Sequence, residues 1–228
     1  MKGKRKMSIT HIFFASSEKS LPQSDLQISP AARRAPSQRR SRERVETLLT
    51  VASALIAEMG SDALRMSDVA QRAGVSIGSL YQYFPDKGAL IRALAERHNA
   101  VGRTCVAAAL DAVQDEAALS EAMLQILDAY YAMYLAEPVM RDIWCGTQAD
   151  KELQAMDAEE GRWHGARLAQ TLLRLRPRRD PVQLGTATFL MMALICGTVR
   201  LAIAVERGEG DALIAAFKPM MLREVAAL

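Results

Sequence analysis

The sequence predicts an all-α fold, and three observations carry that prediction. Apolar residues recur at helical spacing along most of the chain after Ser37. No run alternates apolar and polar residues between turn signals, as a half-buried strand would. Half of the residues are hydrophobic but only 5% are aromatic, so the core must be built largely from Ala, Leu and Met, which suit helices. With 228 residues the chain has room for a small domain joined to a larger one.

Residues 1–36 are rich in Ser, Pro, Lys and Arg without a sustained period, and read as a disordered basic arm. From Ser37 on, Val45, Leu48, Leu49, Ala52, Leu55, Ile56 and Met59 form one apolar stripe, and Gly60 supplies a stop. Two short helical patterns follow, at about Ser67–Ala73 and Ile77–Phe84, separated by Gly74-Val75-Ser76. Asp86 is placed to cap a longer helix running to about Asn99. After Gly102 the pattern is helical almost throughout. Breaks are expected near Glu137-Pro138, from Arg176 to Pro181, and at Gly208-Glu209-Gly210.

Two segments invite comparison with membrane or export signals. Lys2 to Lys6 precede an apolar run too short and too mixed for a secretory leader. Thr186 to Val205 is apolar but interrupted by Gly197, Thr198 and Arg200, and reads as a buried or interface helix. The expectation is a cytoplasmic protein with no membrane partner. Cys105, Cys145 and Cys196 are odd in number and far apart, so they read as small buried hydrophobes in a reducing compartment, with a redox-sensing thiol as the alternative.

Charge is distributed unevenly. Residues 1–100 carry 16 Lys/Arg against 9 Asp/Glu, whereas residues 101–228 carry 13 against 17. A basic front on an acidic back is what a chain shows when one end meets a polyanion. A solvated charged face would give the same imbalance.

The segment Val69 to Leu80 has the steric pattern of a helix-turn-helix. Two helices meeting across a short turn need small residues where the backbones approach, supplied by Ala70 and Ala73. The turn needs a residue that accepts positive φ, supplied by Gly74. Ser76 is placed to cap the second helix. Val69, Val75, Leu80 and Phe84 are the apolar pegs, with Ser67 available to cap the first helix. The opposite face then shows Ile77, Gly78, Ser79, Tyr81, Gln82 and Tyr83, short enough at its start to enter a major groove about 12 Å wide. Gln82 suits adenine, Ile77 a thymine methyl group, and the Tyr81 and Tyr83 hydroxyls suit phosphates; Tyr81 and Tyr83 also fit as rim aromatics. Lys87 adds charge beside a helix N-terminus. Arg72 is either a phosphate contact or a solvated arginine.

Arg44 through Leu90, most densely Ala73 to Leu90, resembles the N-terminal domain of the tetracycline-repressor (TetR) family. The resemblance implies a three-helix DNA-binding domain, here 37–100, and an all-α ligand-binding and dimerisation domain, here 101–228. It also implies a homodimer on double-stranded DNA with a palindromic operator. By position, Ser76, Ile77, Gly78, Ser79, Tyr81, Gln82, Tyr83 and Lys87 match the family's DNA-contacting residues. The chain departs from the pattern where the family has a capping Thr or Ser before the first helix of the motif, since Arg65 and Met66 stand there. Arg33, Arg34, Arg39 and Arg40 would lie along the DNA backbone or minor groove, or belong to a tail without function.

In the C-terminal part, Tyr130, Tyr134, Trp144, Trp163, Met191 and Cys196 are candidates to line a pocket for a small apolar or amphipathic effector, and each is equally readable as ordinary core. The last two helices, at about Pro181–Arg207 and Asp211–Ala227, are apolar over more than one stripe and suit a symmetric dimer interface. Ligand-relieved repression is the expected mode. No phosphate-cradling, zinc-protease or nucleophile-elbow motif occurs, His11, His98 and His164 are scattered, and Glu159 and Glu160 read as solvated. No catalytic, metal or cofactor site is therefore expected. The remaining rival is a ligand-responsive interaction module that keeps the fold without binding DNA.

Overall fold

The computed structural model describes residues 35–147 and 150–228. No strand forms among them. The helices are α1 (Ala35–Ala63), α2 (Met66–Arg72), α3 (Ile77–Tyr83), α4 (Lys87–Asp111), α5 (Glu116–Ala136), α6 (Pro138–Thr147), α7 (Lys151–Leu175), α8 (Pro181–Ala204) and α9 (Arg207–Ala227). The expected arm lies outside the described residues up to position 34, and its last two residues already belong to α1.

Local chemistry sets the ends of the first helices. The regular path of α1 breaks at Gly60, whose φ of 81° is left-handed. A Cβ there would meet nothing within 4 Å, so the dihedral and not space calls for glycine. The break leaves Met59 exposed, although its spacing places it on the apolar stripe. α2 starts after Arg65, which offers no side-chain cap. Ser67 does not take over that role: it lies inside the first turn, where its hydroxyl donates to Asp68 at 3.2 Å. α2 ends in a Schellman turn, with Gly74 at φ 66°. The Val75 and Gly74 N–H groups donate to the Ala70 and Gln71 carbonyls at 3.0 and 3.1 Å. Ser76 then caps α3, accepting from the Ser79 N–H at 3.1 Å, and Asp86 caps α4, accepting from Ala89.

Leu48, Ala52 and Ile56 of α1, Val69 of α2, Leu80 of α3, Phe84 at the end of α3 and Leu90 of α4 are all buried, which fixes the three-helix unit around one small core. α4 does not end near Asn99. It continues through Gly102 to Asp111, because a single interior glycine costs only about 1 kcal/mol and Cys105, Val106, Ala109 and Leu110 bury the extension. The same helix therefore belongs to both parts of the molecule.

The C-terminal part is a bundle of the remaining helices packed on the second half of α4. Acidic caps start most of them: Asp115 for α5, Asp150 for α7, Asp180 for α8 and Glu206 for α9. The breaks at Glu137-Pro138 and before Pro181 fall where the sequence places them. The one expected at Gly208–Gly210 does not occur; the chain turns at Val205-Glu206, and both glycines lie inside α9. Gly210 is needed for close approach, since a Cβ there would overlap the Ala202 carbonyl of α8. Gly165 of α7 plays the same part, with Phe189 Cα only 2.7 Å from where its Cβ would be. α8 is long and apolar enough to cross a membrane by length and composition. Here it packs between α7 and α9, burying Leu184, Met191, Met192, Ile195 and Val199.

Candidate nucleic-acid interface and cavity

The expected reading face forms on α3. Leu80 is fully buried beneath it, while Ile77 and Tyr81 are 44% and 48% exposed and Gly78 and Gln82 also face water. Ser76 is exposed at the cap and Ser79 is half-buried. A Cβ at Gly78 would meet nothing, so that end of the helix is slim without being crowded by the protein. Tyr83 is turned differently: it packs half-buried against the core and borders a groove between α1 and α3 lined by Arg40, Arg44 and Thr47. Arg40 therefore stands on helix beside the motif, and Arg39 pairs with Glu43 at 3.1 Å. Arg33 and Arg34 lie outside the described residues.

Two further candidates are held by the protein itself. The Arg72 guanidinium donates to both Glu58 carboxylate oxygens, at 2.6 and 2.7 Å, which lowers the Glu58 pKa and raises that of Arg72. Lys87 Nζ donates to the Ser61 and Asp62 carbonyls at 3.0 and 3.2 Å. The ammonium thus donates to carbonyls at the end of α1, of which that of Ser61 also accepts from the Leu64 N–H at 3.3 Å. Ser67 is exposed at the start of α2.

A cavity opens inside the C-terminal bundle, with an empty volume of about 980 Å³, its mouth included. Residues of α4 to α8 line it. Of the six candidates, Tyr130, Tyr134, Trp144 and Cys196 belong to its wall, whereas Trp163 and Met191 lie outside the lining. Trp163 instead stacks edge-on with His164, and Met191 is core. The Tyr130 and Tyr134 hydroxyls are 3.2 Å apart, and burial raises the pKa of both.

No spacing or motif signals the polar half of this wall. Arg200 of α8 clasps Asp157 of α7 with both terminal nitrogens. Burial opposes its charge and is the largest single influence, but hydrogen bonding to Asp157 and the nearby Tyr130, Asp157 and Tyr134 groups together outweigh it and raise the arginine pKa. Glu160 is not solvated: its side chain is 12% exposed, accepts from Arg103 at 2.5 Å, and lies 3.0 Å from His164 Nε2. His98 and His164, far apart in sequence, meet on the same wall. Burial pushes the His98 imidazole down to about 4, so it is neutral near pH 7. Burial likewise raises the Cys196 and Cys105 thiols, the latter to about 11; Cys105 is buried as expected of a small hydrophobe, whereas Cys196 is half-buried on the cavity wall. No group of three His, Cys, Asp or Glu that could hold a metal occurs among the described residues.

The family model for bacterial regulatory proteins of the tetR family matches residues 48–94. The model described as the tetracyclin repressor-like C-terminal domain matches residues 117–228. The chain belongs to the TetR family.

This TetR-family protein is thus a DNA-binding transcriptional regulator with a helix-turn-helix domain and a C-terminal ligand-binding domain. A solved TetR-family regulator from Streptomyces coelicolor is 24% identical, with 82% of this chain and 98% of that one covered and a TM-score of 0.60. Another from Pectobacterium atrosepticum is 25% identical, with 82% and 90% covered and a TM-score of 0.57. The regulator FadR from Bacillus subtilis, solved in complex with stearoyl-CoA, is 16% identical, with 79% and 96% covered and a TM-score of 0.56, a likeness of fold. No curated protein matches the chain.

Proposed function

We propose that this TetR-family regulator is a cytoplasmic homodimeric repressor that reads a palindromic operator and releases it when a small effector fills the cavity; it performs no catalysis. The observation that carries the reading is the exposed, slim face of α3, with Ile77, Gly78, Tyr81 and Gln82 outward over a fully buried Leu80. Such a face fits a major groove, and the caps of Ser76 and Asp86 hold it rigidly.

The partner for dimerisation is a second copy. α8 leaves Val182, Leu190, Leu194 and Leu201 exposed, and α9 leaves Met220 exposed. Together they make an apolar surface that a monomer would not keep in water. Pairing there would carry two copies of α3 to successive grooves, about 34–36 Å apart.

α6 supports effector relief. Its Met140, Ile143 and Trp144 line the cavity, while Asp142 of the same helix accepts from the Ser61 hydroxyl at 3.3 Å. Ser61 sits at the break in α1, and its carbonyl accepts from Lys87. Arg92 of α4 adds a second tie, to Asp150 at 3.1 Å and Glu152 at 2.9 Å at the start of α7. A ligand that shifts α6 would move the support of the reading helix, and by reciprocity bound DNA would weaken the ligand by the same factor.

The test is selection of genomic DNA fragments by the purified dimer at near-physiological salt. Enrichment of fragments sharing a palindrome is expected, with a loss of about tenfold or more in affinity when Tyr81→Ala and Gln82→Ala are combined. A folded, dimeric double variant that binds those fragments like the wild type would overturn the reading.

A further inference from the structure

We propose that the effector is an uncharged molecule bearing a carbonyl oxygen, which accepts hydrogen bonds from the Trp144 indole and the Arg200 guanidinium while its apolar body lies along Val106, Ile126, Met133 and Ile195. The inference rests on the effector-relieved reading above and adds the chemistry of the ligand.

Charge comes first. The cavity lining holds the formal charges of Asp157, Glu160 and Arg200. Arg200 and Asp157 neutralise each other, and Glu160 is paired with Arg103, which also holds the more exposed Glu96, and lies 3.0 Å from His164 Nε2. His98 brings no charge, because burial holds its imidazole neutral at physiological pH. An ionised ligand would therefore either stay unpaired in a poorly solvated site or break an existing pair, and both are costly. An uncharged ligand does neither.

Hydrogen bonding sets the head group. Trp144 Nε1 and Arg200 Nε are buried and have no partner among the described residues. Both atoms can only donate. They belong to the same part of the wall, since the guanidinium carbon of Arg200 lies 5.9 Å from the centroid of the Trp144 ring. A buried N–H without an acceptor is unfavourable, and native proteins rarely leave one so. A carbonyl oxygen has two lone pairs and no proton of its own, so it relieves two donors without creating a new demand. The Tyr130 and Tyr134 hydroxyls, 3.2 Å apart, bond to each other. Aliphatic and thioether side chains such as Val106, Ile126, Met133 and Ile195 share the wall with His98, Asn99 and His164, and suit an apolar body of adaptable shape.

The test uses the full-length dimer and three probes of matched chain: methyl octyl ketone, decanoate and decyltrimethylammonium. Calorimetric titration should show the ketone binding at least tenfold more tightly than either ion. Trp144→Phe, which keeps the ring and removes the N–H, should weaken the ketone about threefold to tenfold and leave Tm nearly unchanged. Equal or tighter binding of decanoate or of the ammonium probe would overturn the proposal, as would failure of all three to bind. Ketone affinity unchanged by Trp144→Phe would also overturn it. Should that variant fail to fold, the head-group order in the wild type decides alone. DNA release is scored in parallel. A ketone that binds without releasing operator overturns effector relief but not the ligand chemistry, and an ion that binds and releases operator does the reverse.

Discussion

The two halves of the molecule hold similar side chains in opposite settings. Arg72 and Glu58, on the helix-turn-helix, form a two-pronged pair with 48% and 50% of the side chains exposed. Arg200 and Asp157, on the cavity wall, form the same pair with the arginine only 15% exposed. In water such a pair gains little, because high dielectric and lost side-chain freedom nearly cancel the attraction. Out of water, a guanidinium stripped of its partner becomes an uncompensated charge. Exposed pairs on the reading half therefore cost little to rearrange toward a partner, whereas those on the cavity half also hold the bundle together.

That contrast should be largest when pH is varied. His98 has a folded pKa of about 4 against an ordinary 6.5, because burial disfavours its charged form and the Arg97 charge adds to this. A depressed folded pKa means the unfolded chain binds the extra proton. The stability at stake is fully present above pH 6.5 and is lost as pH falls toward 4, by about 3 kcal/mol in all. His98→Phe should remove this part of the slope. Urea unfolding of both proteins across that window checks it, and parallel curves would show that the imidazole is not coupled to folding.

Glycines sharpen the comparison further. Gly165→Ala would drive a methyl group against the Phe189 backbone and force α7 from α8. Overpacking of that kind costs about 1–3 kcal/mol. Gly78→Ala has nothing to strike within the protein and should leave stability unchanged or raise it by up to about 1 kcal/mol. Its methyl group would stand on the reading face, so operator affinity should fall while Tm holds. Thermal unfolding and DNA titration of the two variants should give opposite patterns, and a Gly165→Ala protein as stable as the wild type would break the contrast.

The ion pairs come next. Asp157→Asn keeps the shape of the side chain but removes the charge that balances Arg200. Since Asp157 itself is 41% exposed, solvent screening reduces the loss to about 1–2 kcal/mol. Glu58→Gln should leave Tm where it is. If both changes cost the same, burial is not what distinguishes the two pairs.

The same contrast explains which parts of the molecule are legible in the sequence. The helix-turn-helix rests on rules that act within a few residues: a cap at Ser76 for an N–H three positions on, a left-handed turn at Gly74, and pegs at helical spacing. The cavity rests on pairings between helices far apart in the chain, such as Arg103 with Glu160 and Arg200 with Asp157. No spacing announces those, so Arg200 reads as an interruption of an apolar run and Glu160 as a solvated acid. Tyr130, Tyr134, Trp144 and Cys196 are found by residue type, but type alone does not separate them from Trp163 and Met191. Gly210 misleads for a related reason. A glycine that ends a helix and one that admits a neighbouring backbone look alike until the neighbour is seen.

The smallest expected effect lies within the reading half, in the difference between the starts of α2 and α3. α3 has its cap in Ser76, whereas α2 starts after Arg65, which is extended at φ −116° and ψ 142° but gives its helix no side-chain acceptor. That backbone is already the conformation a capping residue adopts, so a short hydroxyl side chain would add a second acceptor for the Asp68 N–H, which now donates to the Arg65 carbonyl at 3.1 Å. Arg65 also places a positive charge at the positive end of the helix dipole. Arg65→Ser should therefore stabilise the domain by about 0.5–1 kcal/mol, read as a rise in the urea midpoint at constant m-value. The matching change at the other helix, Ser76→Ala, should lower the midpoint by a similar amount. If Arg65→Ser stabilises nothing while Ser76→Ala destabilises, the bond from the Asp68 N–H to the Arg65 carbonyl already does the work of a cap, and the missing side-chain acceptor costs the fold nothing.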